Sequence, residues 1–137
     1  MKKFIWYLLL AALIIIQFIP VNRTNPTSIS EFKGPPEVMT IFKASCYDCH
    51  SNQTDWPWYS YIAPASWLVV SDTEEGREHL NFSNWGNFER SKQVKLMEEI
   101  WEEVREEKMP LWQYRILHPK SKLSQEQKTI IRHWSGE

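Results

Sequence analysis

A chain of 137 residues has room for one modest domain once any terminal segment is set aside. Its formal net charge is −1, and without Lys2 and Lys3 the remainder carries 14 basic residues against 17 acidic ones, which argues against nucleic acid as a partner. Eight Trp and 14% aromatic residues are many for this length, and either a compact aromatic core or a flat planar ligand would account for them.

Lys2 and Lys3 precede an uncharged apolar run from Phe4 to Ile19, closed by Pro20. A basic segment followed by an apolar one is the layout of a signal peptide or a signal anchor. Sixteen residues at the helical rise cover roughly 24 Å against a bilayer core of about 30 Å, so length leaves both open. The following Pro-Val-Asn-Arg-Thr offers no small-x-small cleavage pattern and no lipobox cysteine. That favours one uncleaved N-terminal transmembrane helix over residues 1–20, held in the membrane through residues 4–19. The basic flank then predicts a single-pass protein of the inner (cytoplasmic) membrane, with the rest on the periplasmic or extracytoplasmic side.

Residues 21–35 mix Asn, Thr, Pro, Ser and Gly with isolated apolar residues, a linker composition; as a flexible coil it would span about 20 Å. Residues 36–137 then read as a mainly α domain. Pro35 and Pro36 start a helix carrying Val38, Ile41, Phe42 and Ala44 or Ser45 at helical spacings. A second helix is predicted from about Pro64 to His79. A third runs from about Ser91 to Lys108, with Val94, Met97, Ile100, Trp101 and Val104 as one apolar stripe. The last opens at Ser124, where Gln127 completes a capping box, carries Ile130, Ile131 and Trp134, and stops at Gly136. No run alternates as a strand does.

Both cysteines lie in Cys46-Tyr47-Asp48-Cys49-His50, the C-x-x-C-H pattern of covalent c-type haem attachment. On a helical turn, residues i, i+3 and i+4 share one face, so two thiols and an imidazole can address the same flat object. The spacing predicts one haem c, bound covalently through Cys46 and Cys49, with His50 as the proximal iron ligand. A thioredoxin-like pair would need a preceding strand, and the residues before Cys46 read as helix. A zinc site would have to recruit one of His79, His118 and His133. A disulfide would close a very small loop and leave His50 without a role.

The ordered blocks Cys46 to Asn52, Trp56-Pro57-Trp58-Tyr59, Pro64-Ala65-Ser66-Trp67, Gly76-Arg77, Leu80 to Trp85, and Met109-Pro110 through Tyr114 to Leu117-His118-Pro119 and Leu123-Ser124 resemble a small haem-binding domain family found in membrane-anchored and multidomain bacterial cytochromes. The resemblance covers nearly everything from Phe42 to Trp134. It implies a mono-haem, mostly helical, cytochrome c-like domain and leaves the redox partner proteins unknown.

A six-coordinate iron needs a distal donor, and the candidates are Met97, Met109, His79, His118 and His133. Met97 belongs to the apolar stripe, which makes it core filler. Met109 follows the third helix, and Pro110 stiffens the exit, so its thioether can be held at a fixed height over a ring. Met109 is therefore the expected distal ligand and His118 the runner-up. Trp56, Trp58, Tyr59, Tyr61 and Trp67 could wall the porphyrin or simply pack a core. Arg77 and Arg115 are candidate propionate partners. Six glutamates between Glu98 and Glu107 make the third helix acidic outside, which is either a solvated face or a patch that steers a basic partner. A saturated iron favours electron transfer outside the cytoplasm over a peroxidase-like enzyme or a haem-based ligand sensor, so no enzymatic activity is expected.

Overall fold

The computed structural model describes residues 2–137, and among them every regular element is helical. The order is α1 (Lys2–Ile15), α2 (Pro36–Ser45), α3 (Tyr47–His50), α4 (Ala65–His79), α5 (Arg90–Arg105), α6 (Trp112–Leu117) and α7 (Gln125–Ser135), with short 3₁₀ turns between them. The mainly α expectation holds, and local chemistry explains the boundaries. Pro36 occupies the first turn of α2, where its missing N–H costs nothing. In α7, the Ser124 hydroxyl accepts from Gln127 N at 3.2 Å while the Gln127 side chain accepts from Ser124 N at 2.9 Å, and Gly136 ends the helix at φ 92°.

The aromatic content goes first into a core. Phe42 and Phe82 are fully buried and stacked at 4.9 Å between ring centroids, and Tyr47 stacks on the other side of Phe82 at 5.1 Å. Phe32, Trp85 and Trp134 close around them with edge-on and tilted contacts, the geometry that aromatic quadrupoles prefer. Helices α5 and α7 pack together beside this cluster. The stripe of α5 is real but shifted. Leu96 and Val104 are buried, Met97, Ile100 and Trp101 lean on the core, and Val94 is exposed. Of the six glutamates from Glu98 to Glu107, five meet a basic side chain, in pairs shared among Lys95, Arg105, Lys108 and Lys128.

The N-terminal segment departs from expectation. Helix α1 has 14 residues, and none of the helices among the described residues is long and apolar enough to cross a membrane. At the helical rise, α1 covers roughly 21 Å, well short of a bilayer core of about 30 Å. After Ile15 the chain tightens into a 3₁₀ turn and is extended by Ile19. There Gln17 is clipped to the domain, accepting from Ala63 N at 2.9 Å and donating to Ala63 O at 3.1 Å. The transmembrane helix, and with it the single-pass inner-membrane location, is thereby overturned. Met1 lies outside the described residues.

Residues 21–35 are not a loose coil either. Arg23 donates to Ser60 O and stacks over the Tyr61 ring, and Asn25 donates to Thr54 O. Ile29 N and Ser30 N both reach Ser83 O, and Phe32 N reaches Phe82 O at 2.7 Å. Phe32 itself enters the core. Composition hid this because each anchor is a single apolar or amide side chain among turn residues.

Phe82→Ala removes the ring shared by both stacks. We expect it to cost about 3–5 kcal/mol of stability, read as a lower denaturation midpoint in urea.

Candidate functional site

Helix α2 ends at Ser45, and Cys46 breaks its path at φ −128° before α3 begins. This bend turns Cys46-Tyr47-Asp48-Cys49-His50 under α4, and Gly76 lets the two helices touch. A Cβ at position 76 would stand 2.7 Å from Cys49 O, closer than carbon and oxygen can pack. The same glycine supplies an acceptor. His50 Nδ1 lies 2.8 Å from Gly76 O and 3.2 Å from Leu80 O, and since carbonyls only accept, Nδ1 carries the proton. Burial lowers the His50 pKa, against the opposing effect of these two carbonyls, so the ring is neutral at neutral pH. Its Nε2 lone pair is left free.

The turn is held from its outer side as well. Asp48 accepts from the Tyr114 hydroxyl at 2.5 Å and from Asp55 N at 2.9 Å. Burial and the bond to Asp48 push the Tyr114 phenol well above its usual range, so it stays a donor. Burial likewise pushes the Cys46 thiol up to about 12 and, with help from Asp48 and Asp72, the Cys49 thiol up to about 11. Beyond the motif, Asn52 N donates to Ser83 Oγ, Asn81 Nδ2 to Asn52 Oδ1, and Ser83 N to Asn81 Oδ1, a buried polar cluster satisfied from within.

A cleft opens between α4 and the segment Leu111–Leu117. Ala65, Leu68, Val69, Asp72 and Thr73 line it from one face of α4, with Leu111, Gln113, Tyr114 and Leu117 opposite and Asp48 and Cys49 at one end. Leu68 and Leu117 are both more than half exposed, which places the mouth on their side.

The residues singled out in the sequence divide into three groups. Cys46, Cys49 and His50 share one turn as expected, and Cys49 reaches the cleft. Met109 is half-buried directly before the cleft's second wall but does not line the cleft itself. A turn at the end of α5 fixes its backbone: Glu107 adopts φ 60°, Glu107 N bonds Val104 O, and Lys108 N and Met109 N both reach Glu103 O. Met39 and Met97 pack on the aromatic core, whereas Met109 does not. His118 Nε2 is engaged by the Tyr59 hydroxyl at 2.7 Å and its ring stacks on Tyr114 at 4.2 Å. Of the aromatic group, Tyr59 lines the cleft, while Trp58 and Tyr61 face solvent. Arg77 is taken up by Ser51 O, Thr24 O, Asn25 Oδ1 and Thr54 Oγ1 and is a structural clamp.

The family model described as a haem-binding domain matches residues 11–137. The chain belongs to this haem-binding domain family. No curated protein and no solved structure matches it.

The residues present suit a haem. Two thiols and an imidazole with a free Nε2 are the donor set that haem c takes. The Trp56 and Trp67 indole N–H groups and Gln113 Oε1 are buried without a hydrogen-bond partner among the described residues, and buried polar atoms in that state call for one. Of these, Gln113 lines the cleft and stands where a ligand's polar edge would satisfy it. The resemblance blocks included Gly76, Asn81, Ser83 and Tyr114. Their spacing alone does not reveal that they set the motif in place rather than bind.

Gly76→Ala should force α4 away from Cys49 O and misplace the acceptor for His50. Overpacking of this kind costs about 1–3 kcal/mol, more than alanine's helix advantage of about 1 kcal/mol. A chemical denaturation curve checks the sign.

Proposed function

We propose that this haem-binding domain is a mono-haem c-type cytochrome whose role is electron transfer. Cys46 and Cys49 form thioethers to one haem, His50 Nε2 ligates the iron from the proximal side, and Met109 supplies the distal thioether. The observation that carries this reading is the state of His50. Its Nδ1 proton is committed to Gly76 O and Leu80 O, so Nε2 is presented with a fixed ring orientation on the same turn as both thiols. A haem held by these residues would supply reversible one-electron chemistry.

The chain's own residues do the rest. Val69 and Leu111 give the cleft an apolar wall behind its mouth, which lowers the local polarity around a charge change. The Asp48–Tyr114 bond and the Tyr59–His118 bond fasten the segment after Met109 to the motif and to the turn following it. That holds the two sides of the site at a constant separation. Met109 stands free of the aromatic core and is anchored through its backbone to α5, which leaves its side chain available for ligation. A thioether in the sixth position closes the iron to peroxide and supports an electron carrier rather than an enzyme.

Either Cys46→Ala or Cys49→Ala should weaken haem retention on a denaturing gel, and the double variant should lose it. A haem band in the double variant would sink the assignment. Met109→Ala should open the reduced protein to carbon monoxide, Met109→His should lower the reduction potential while keeping a low-spin spectrum, and His118→Ala should leave the spectrum nearly unchanged. Carbon monoxide binding by His118→Ala instead would move the distal ligand to His118.

A further inference from the structure

Two carboxylates line the cleft: Asp48, which holds the motif through Tyr114 and Asp55, and Asp72, which has no such role. Asp72 lies in the middle of the α4 face that forms the wall, among Leu68, Val69, Leu111 and Leu117. The groups facing it are Asp48 and Cys49 from α3, Tyr59 from the turn before α4, and Gln113 and Tyr114 from α6; Glu75 is its neighbour on α4. None is a cation, no Lys or Arg lines the cleft, and Asp72 makes no ion pair among the described residues. Gln113 lines the cleft opposite α4, and its Oε1 is buried and unpartnered. Burial raises the Asp72 pKa, with Gln113 opposing and Glu75 adding to the shift. A carboxylate in an apolar cleft without a counter-charge interacts strongly with any positive charge brought beside it.

We propose that Asp72 couples the haem's reduction potential to pH, its ionised carboxylate favouring the ferric over the ferrous iron. The proposal rests on the cytochrome reading above. Ferric haem carries one more positive charge than ferrous haem, so ionised Asp72 stabilises the oxidised state and lowers the potential. By linkage, reduction raises the Asp72 pKa. Between the ferric and ferrous values of that pKa, each electron entering the iron is accompanied by one proton passing from solvent to the carboxylate, and the charge inside the cleft is unchanged. Above both values the electron enters alone, at the lower potential. Asp48, the other carboxylate at the cleft, is committed to accepting from Tyr114 and Asp55.

The test is a redox titration of the full-length haem-loaded protein, followed by its visible spectrum at intervals from about pH 4 to pH 8. The wild-type potential should fall as pH rises through the Asp72 titration and then level off. Asp72→Asn, which keeps the shape and a partner for Gln113, should hold the higher, low-pH value throughout. Asp72→Glu should restore the fall, and this rescue separates charge coupling from a general disturbance of the cleft. Superimposable curves for wild type and Asp72→Asn, or a flat wild-type curve, overturn the proposal alone, since covalent haem is scored separately on a denaturing gel. Absence of that haem band overturns the cytochrome reading and this proposal with it.

Discussion

The close crossing of α3 and α4 at Gly76 is the constraint on which the site depends. The missing side chain lets Cys49 O approach the helix, and the Gly76 carbonyl then receives the His50 proton. A larger residue would separate these two roles, because relieving the clash at Cys49 moves the acceptor away from the imidazole. Glycine inside a helix ordinarily weakens it by roughly 0.5–1 kcal/mol relative to alanine. Here that loss is offset by a fixed imidazole orientation, which the proposed role of His50 needs more than helix propensity.

Two networks built on this crossing divide the molecule. On one side is the aromatic core around Phe42 and Phe82, with the polar cluster of Asn52, Asn81 and Ser83 beside it, and both are complete without a ligand. On the other side is the cleft, largely apolar along its walls, with the Asp72 carboxylate outside any ion pair among the described residues and a buried, unpartnered amide oxygen on Gln113. The motif joins the two, since Cys46 packs against the core while Cys49 lines the cleft. Of the aromatic residues that could have signified a lined porphyrin pocket, only Tyr59 and Tyr114 line the cleft, and a larger group packs the first side.

Much of this was legible in the sequence, for physical reasons. The capping box at Ser124 and Gln127, the Pro start of α2 and the stop at Gly136 are local signals, and each sits where it was read. The family was legible because five consecutive residues of the motif carry their own chemistry. The N-terminal segment was misread because apolar composition reports neither helix length nor partners, and a single glutamine, Gln17, makes the bonds that tie it to Ala63. The linker was misread for a similar reason, since Phe32 is one aromatic in a polar stretch. Long-range pairs such as Asp48 with Tyr114 and Tyr59 with His118 leave no periodic trace, so no spacing rule finds them.

The strap formed by residues 23–32 bears on how this haem unit can be moved between proteins. A cassette cut at the start of α2 would carry the attachment motif and every helix of the cleft, yet it would leave behind Phe32 and its bond to Phe82. It would also strip the two amides that cover Ser83 O and the Asn25 side chain that meets both Arg77 and Thr54. Arg77 in turn holds the backbone just after His50 through Ser51 O. The family match beginning at residue 11 fits this anatomy. As an exchangeable module, the domain starts well ahead of its first core helix, and recombination between relatives should be tolerated upstream of Gln17, which is tied to Ala63, rather than at the composition change before Pro36.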